Sequence, residues 1–172
     1  MFIKKEILND TIHIKFIKFH DKAFKKEKRI KNFEQKEYLS YNTFEYNEII
    51  NYAKQLLKNN NIKFKENEFK LEFHRINCGG SLYGVKNFGW HTDKNIISPL
   101  HSTYTVIFYL RKDSGIKGGN FLYRTYNWLL SEKHIIEINE KDCLYFDGKI
   151  EHRAEQCNGF GCRDSIVVFF NR

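Results

Sequence analysis

The chain changes texture near residue 69. Before that point the apolar positions fall into two patterns. "TIHIKFIKF" (Thr11 to Phe19) alternates apolar and polar residues at its start, which predicts a strand. "FEYNEIINYAKQLLKNN" (Phe44 to Asn60) places Ile49, Ala53, Leu56 and Leu57 at helical spacing and ends in a basic, Asn-rich stop, which predicts a helix. The charged stretch 20–43 between them reads as loop or a short helix.

From Phe69 onward, short β-rich runs recur, each bounded by Gly, Asn or Asp. They are "FKLEFHRIN", "FGWHTD", "STYTVIFYL", "GNFLYRTY", "HIIEIN", "DCLYFD", "HRAEQC" and "RDSIVVFF". Turn signals "GG", "DG" and "NG" separate them. Eight short antiparallel strands in about 100 residues predict a jelly roll of two facing sheets. The N-terminal helix would pack outside one of them. The fold class expected is mainly β (α+β), in a single domain over 1–172. Within it, 1–70 would be a strand/helix extension and 71–172 the β core.

Composition sharpens this only in places. The 172 residues suffice for one sizeable core. The net charge of +8 is uneven: residues 1–70 hold 16 Lys/Arg against 10 Asp/Glu, and 71–172 hold 13 against 11. The excess is densest at "KAFKKEKRIK" (Lys22 to Lys31). No stacking-aromatic platform or nucleic-acid motif accompanies it, so a solvated basic stretch is the favoured reading. Cys78, Cys143, Cys157 and Cys162 form no Cys-x-x-Cys pair, and free thiols in a reducing compartment are expected. "NGFG", between Cys157 and Cys162, reads as a hairpin. No signal-peptide pattern opens the chain and no run approaches a membrane span. The expected setting is cytoplasmic.

The candidate chemistry lies in the β-rich part. His91 and Asp93 are two apart, so on a strand both side chains would share a face. His152 follows about 60 residues later, at the opening of another strand. Arg163 and Ser165 come 11 residues after that, again as same-face neighbours. Two histidines and a carboxylate form the ligand set of a facial triad for non-haem Fe(II), which leaves coordination positions open. An arginine near the start of an apolar strand needs an anionic partner, and its planar fork matches a carboxylate. His13, His20, His74, His101 and His134 are weaker candidates, and core or surface roles are expected for them. Core packing is also expected for Trp90, Phe108, Phe169 and Phe170. Zinc in a cupin-like site is disfavoured, because the clustered His-x-His spacing is absent.

With these residues in place, the C-terminal hundred residues resemble the Fe(II)/2-oxoglutarate-dependent oxygenases, in particular the prolyl-hydroxylase-like branch. "HTD" (91–93), "YL" (109–110), "GGNF" (118–121), "LYFDGKIEH" (144–152) and "GFGCRDSIVVFF" (159–170) carry the resemblance. It implies a double-stranded β-helix with His91, Asp93 and His152 as iron ligands. It also implies Arg163, Ser165 and Tyr109 as the residues that hold 2-oxoglutarate. Fe(II), 2-oxoglutarate and O₂ are the implied cofactor and co-substrates, and ascorbate is allowed as a reductant. The implied activity is a dioxygenase that hydroxylates a peptidyl side chain or a small molecule. An AlkB-like oxidative demethylase or hydroxylase acting on nucleic acid is the alternative, and a jelly-roll binding module without turnover is a third reading. Two features depart from the family pattern: Asn120 stands where an acidic residue often follows the paired glycines, and "NCGGSLYGVKNFG" leaves Tyr83 without a role.

Overall fold

A computed structural model of the chain describes residues 2–24, 33–37, 44–79, 89–94, 96–97, 102–127 and 130–172. For 33–37, 78 and 79 it describes the backbone alone. His101, Pro99 and Tyr83 lie outside the described residues, as does most of the basic run that ends at Lys31.

The elements in order are β1 (Ile3–Ile7), α1 (Asp10–Phe24), β2 (Phe33–Glu37), α2 (Phe44–Asn59), β3 (Phe69–Gly79), β4 (Thr103–Lys112), β5 (Ile116–Gly118), β6 (Phe121–Asn127), β7 (Leu130–Ile136), β8 (Asp142–Asp147), β9 (His152–Ala154) and β10 (Cys157–Asn171). The large sheet runs β1-β8-β4-β10-β3-β2, with β5 paired to the start of β10. A second sheet runs β7-β6-β9. All the pairings are antiparallel. This is the expected jelly-roll arrangement, and β1 and β2 of the first seventy residues extend its large sheet.

The central strand β10 shows how the sequence makes two faces. Ile166, Val168 and Phe170 point one way and join Val106, Phe108, Leu71 and Phe73 under the helices. Phe16 of α1 and Ile49, Ala53 and Leu57 of α2 complete that core. Arg163, Ser165, Val167 and Phe169 point the other way, into the space between the sheets. A smaller inner core of Tyr109, Phe121, Ile138, Leu144, Phe146 and Ile150 closes one end of that space.

Several expectations fail here, each for a local reason. Thr11–Phe19 is part of a helix, α1, and not a strand. Asn9 caps it, its Oδ1 accepting from the Ile12 amide at 2.9 Å. The buried side chains are His13, Phe16, His20 and Phe24, at helical spacing. Two of the four are imidazoles, each bonded to a strand carbonyl: His13 Nε2 to Leu110 at 2.7 Å and His20 Nε2 to His74 at 2.9 Å. The stretch 20–43, read as loop or helix, ends α1 and then contributes the edge strand β2. "NGFG" forms no hairpin. Residues 157–171 are one strand that exchanges partners, β5 at its start and β3 and β4 beyond. Cys143, Cys157 and Cys162 are free thiols. Among the described residues no helix is long and apolar enough to cross a membrane.

A charged cluster ties α1 to the large sheet. The β4–β10 register shifts between Asp164 and Ser165, so Leu110 is an extra residue in β4. Leu110 and Arg111 consequently both reach the helix side. Asp164, fully buried, accepts from Arg75 Nε at 2.8 Å, Arg75 NH2 at 2.9 Å and Arg111 NH1 at 2.9 Å. Arg111 also donates twice to Asp21 of α1, at 2.6 Å each. Burial alone would raise the Asp164 carboxyl. The hydrogen bonds and charges of Arg75 and Arg111, with His20 beside them, outweigh it and hold the carboxyl below its usual range.

Asp164→Asn should destabilise the chain by roughly 3–5 kcal/mol at neutral pH, the scale of breaking one side of a buried ion pair. A carboxyl with a depressed folded pKa stabilises above its unfolded value near 4, and loses that contribution as pH falls through the folded value. The gap between wild type and variant in urea melts should therefore narrow below about pH 4. A variant within 1 kcal/mol of wild type at pH 7 would show that the cluster does not anchor the helix.

Candidate active site

The inner faces of three adjacent strands form a grid. On β10 the inward residues are Arg163, Ser165, Val167 and Phe169, which line a cavity of about 470 Å³. Ser165 stands opposite His74 of β3 and Tyr109 of β4. Val167 stands opposite Glu72 and Ile107, and Phe169 opposite Lys70 and Thr105. All of these line the cavity. Phe169 is buried, as expected, and also forms a wall of this space, whereas Phe108 and Phe170 are buried under the helices.

His91, Asp93 and His152 meet in the same cavity. The expectation that "FGWHTD" is a strand does not hold. Among its described residues only His91 forms a β-bridge, to His152, with amide hydrogen bonds of 3.0 and 2.8 Å. The segment is held instead by that bridge and by the Asp93 amide, which donates to the Gly148 carbonyl at 2.8 Å. The three side chains still converge. Asp93 Oδ1 lies 3.6 Å from His91 Nε2, and Asp93 Oδ2 lies 3.4 Å from His152 Nε2. One ligand atom from each falls within 4.8 Å of the others.

The hydrogen bonds around the three fix which atoms face inward. His91 Nδ1 bonds the Gly89 carbonyl and His152 Nδ1 the Ile150 carbonyl, both at 2.9 Å. A carbonyl can only accept, so each Nδ1 carries a hydrogen and each ring turns its Nε2 toward Asp93. Burial favours the neutral form of His152 and pushes its pKa down, against the opposing pull of the Asp93 carboxylate. The His152 ring is held between Phe121, stacked at 5.2 Å, and the edge of Phe146 at 4.8 Å. Thr105 donates to Asp93 Oδ2 at 2.7 Å, and Thr103 donates to the Asp93 carbonyl. One carboxylate is thus oriented from β4 while both its oxygens face imidazoles.

Arg163 lies at the other end of the grid. It is only 5% exposed, its guanidinium is stacked 4.8 Å over the Tyr109 ring, and its buried Nε has no hydrogen-bond partner. Among the described residues no carboxylate pairs with it. Burial raises the Tyr109 phenol to about 12, against the opposing pull of Arg163, so the phenol stays protonated and can donate. The backbone leaves Arg163 its room. Gly119 has a φ of +74°, and a Cβ there would come within 2.9 Å of Cys157 Sγ and 3.2 Å of Arg163 Cδ.

Three participants were not evident from spacing. Thr105, Glu72 and Lys70 belong to this wall through cross-strand register. Glu72 is 5% exposed and accepts from His74 Nε2 at 2.8 Å and Lys70 Nζ at 2.9 Å. Trp90, expected in the core, instead stacks against Arg124 and Arg153. His134 bonds Thr125 on the small sheet at 2.7 Å. Asn120 braces the turn after the paired glycines, donating to Glu155 at 2.8 Å and accepting from the Ile138 amide at 3.1 Å. A second cluster, His20, Asp21 and Asp164, also brings ligand atoms together, but Arg75 and Arg111 neutralise its carboxylates.

No protein-family model matches the sequence, and no curated protein matches it. Solved structures do. A prolyl-4-hydroxylase from Pseudomonas putida superposes with a TM-score of 0.67 at 11% identity, over 99% of this chain and 92% of its own. The chain has the fold of the 2-oxoglutarate- and Fe(II)-dependent oxygenases. A prolyl hydroxylase from Trichoplax adhaerens, solved with a peptide fragment of the hypoxia inducible factor oxygen degradation domain, gives 0.67 at 13% identity over 99% and 82% of the two chains. HygX from Streptomyces hygroscopicus, solved with nickel and 2-oxoglutarate, gives 0.69 at 8% identity over 98% and 82%.

Gly119→Ala should cost about 1–2 kcal/mol from the left-handed backbone alone, and more from crowding Cys157 and Arg163. Urea titration reads the cost. A variant as stable as wild type would mean that the turn is free to relax and does not hold Arg163.

Proposed function

We propose that the protein is an Fe(II)- and 2-oxoglutarate-dependent dioxygenase that hydroxylates a peptidyl side chain or a small molecule. The observation that carries the reading is a pairing within one cavity. A His/Asp/His cluster with both Nε2 atoms turned inward shares the space with a buried guanidinium that no carboxylate among the described residues pairs with. The cluster suits a divalent metal, because two neutral imidazoles and one carboxylate supply three ligand atoms. The guanidinium suits the far carboxylate of a dicarboxylate held by that metal.

On this reading His91, Asp93 and His152 hold the iron, and Arg163, Ser165 and Tyr109 hold the distal end of 2-oxoglutarate. When bound, these groups supply the oxidation: 2-oxoglutarate and O₂ become succinate and CO₂ as one oxygen atom enters a substrate C–H bond. The chain contributes binding and orientation. Thr105 keeps Asp93 aimed at the imidazoles, and the Gly89 and Ile150 carbonyls keep the rings turned. Ile107, Val167 and Phe169 give the space between the two ends apolar walls. The peptide held by the Trichoplax neighbour favours a peptidyl substrate. Nucleic acid is the weaker alternative, since most of the basic surplus lies in residues 1–70 of the sequence, whereas the proposed iron site draws on 91–163.

Incubation with Fe(II), 2-oxoglutarate and O₂ should release succinate even without the prime substrate. His91→Ala or Asp93→Ala should abolish that release, and wild-type turnover in either would remove the metal assignment. Arg163→Leu should weaken 2-oxoglutarate binding by roughly 2–5 kcal/mol while metal binding stays nearly intact. Unchanged affinity for 2-oxoglutarate in that variant would move the anchoring role to another cation.

A further inference from the structure

A second cavity, of about 510 Å³, shares His91 with the first. Its walls carry Arg124, Lys149, Tyr126 and Glu151. Trp90, the residue before His91, organises this region. The Arg124 guanidinium lies 4.0 Å from the Trp90 ring centre and that of Arg153 lies 4.9 Å from it. Stacking on an aromatic face fixes the plane of a guanidinium while leaving its edge donors free. Those donors are underused. Arg124 meets Glu151 only at 3.5 Å, and Arg153 Nε is buried without a partner. Lys149 is exposed and has no carboxylate partner among the described residues. Two cations, Arg124 and Lys149, thus share the cavity wall with one carboxylate, beside a proposed metal ligand, and Arg153 adds charge against the Trp90 ring outside that wall.

We propose that this cavity is a substrate subsite that holds an acidic side chain of a peptide, next to the residue presented to the metal centre. The inference rests on the oxygenase reading above and names its substrate class. The excess of cations, one of them held on the Trp90 ring, selects an anion. Glu151 decides between kinds of anion. Its carboxylate, which also accepts from the Tyr126 hydroxyl, can receive a peptide N–H but repels a phosphodiester. An acidic peptide therefore satisfies both kinds of wall group, and a nucleic-acid backbone satisfies only one.

The test is calorimetric titration of the full chain with eight-residue peptides that contain two adjacent Glu, against the same peptides with Gln. The Glu series should bind at least tenfold more tightly, and the difference should shrink as salt rises. Arg124→Ala with Lys149→Ala should erase it. Lys149→Glu, a change at an exposed side chain, should weaken the Glu series alone and keeps the test decisive if the double variant unfolds. Lys63→Ala and Lys117→Ala, exposed cations elsewhere, should leave it intact. Equal binding of the two series, or a preference that survives Lys149→Glu, would overturn the subsite. A single-stranded oligonucleotide that binds more tightly than the Glu series, with the same dependence on Lys149, would overturn the peptide class. The titration needs neither iron nor 2-oxoglutarate, so its failure is distinct from a failure of the succinate assay.

Discussion

The alternation of side chains along β10 is the constraint on which the rest depends. A strand places successive residues on opposite faces, and this one is buried on both. Arg163 and Asp164 are adjacent, so their charges are sent to opposite sides of the sheet. Neither charge can be left bare. On the helix side Asp164 is answered by Arg75 and Arg111, and through Arg111 by Asp21, which fastens α1. On the cavity side Arg163 meets the Tyr109 ring, and no carboxylate among the described residues answers it. The same strand thus completes its electrostatics on the outer face and leaves an anion site on the inner one. A one-residue slip of β10 would exchange the two, presenting a carboxylate where the proposed co-substrate's own carboxylate must bind.

The β4 irregularity beside Ser165 serves both faces. One extra residue lets Arg111 reach Asp164 on the helix side, while Tyr109, Ile107 and Thr105 keep their alternation on the cavity side. Tyr109 then meets Arg163, and Thr105, four residues away, orients Asp93. A single strand therefore links the two ends of the proposed chemistry. That geometry ties the separation between Asp93 and the Arg163 guanidinium to the rise of β4, with Asp93 fastened to it through Thr105.

Much of this was legible in the sequence because β-rich runs and turn residues obey a short period. The eight runs from Phe69 onward give the sheets, apart from "FGWHTD" and the detail of β9 and β10. His91, Asp93, His152, Arg163, Ser165 and Tyr109 were named from spacing and resemblance, and all six line one cavity. The helix α1 was misread because its buried face includes His13 and His20. These do not register as apolar, and they are tolerated there only because Leu110 and His74 offer carbonyls from distant strands. The "NGFG" segment looked like a hairpin because it holds two glycines, with φ of +106° at Gly159 and +131° at Gly161. In the fold those glycines serve close approach. A Cβ at Gly159 would lie 2.0 Å from the Gly115 carbonyl, and one at Gly161 2.6 Å from Asp113 Cβ. Turn residues reveal unusual backbone, but the neighbour that requires it is set by tertiary structure.

Trp90 shows the same limit at the site itself. Beside a histidine in an aromatic stretch, it reads as core. Its partners Arg124 and Arg153 come from β6 and β9, which adjoin only once the small sheet has formed. The stack gives these cations fixed positions next to His91, and a mobile surface arginine would have lost that order to entropy. The short bridge between His91 and His152 thus has two consequences. It brings two imidazoles together around Asp93, and through their neighbours in sequence, Trp90 and Arg153, it sets a guanidinium against an indole close to the second cavity's Arg124. The proposed metal cluster and the Trp90 stack that holds Arg124 are therefore joined by one backbone contact. A change that breaks the bridge should disturb both together, whereas a change confined to Lys149 should disturb only the second.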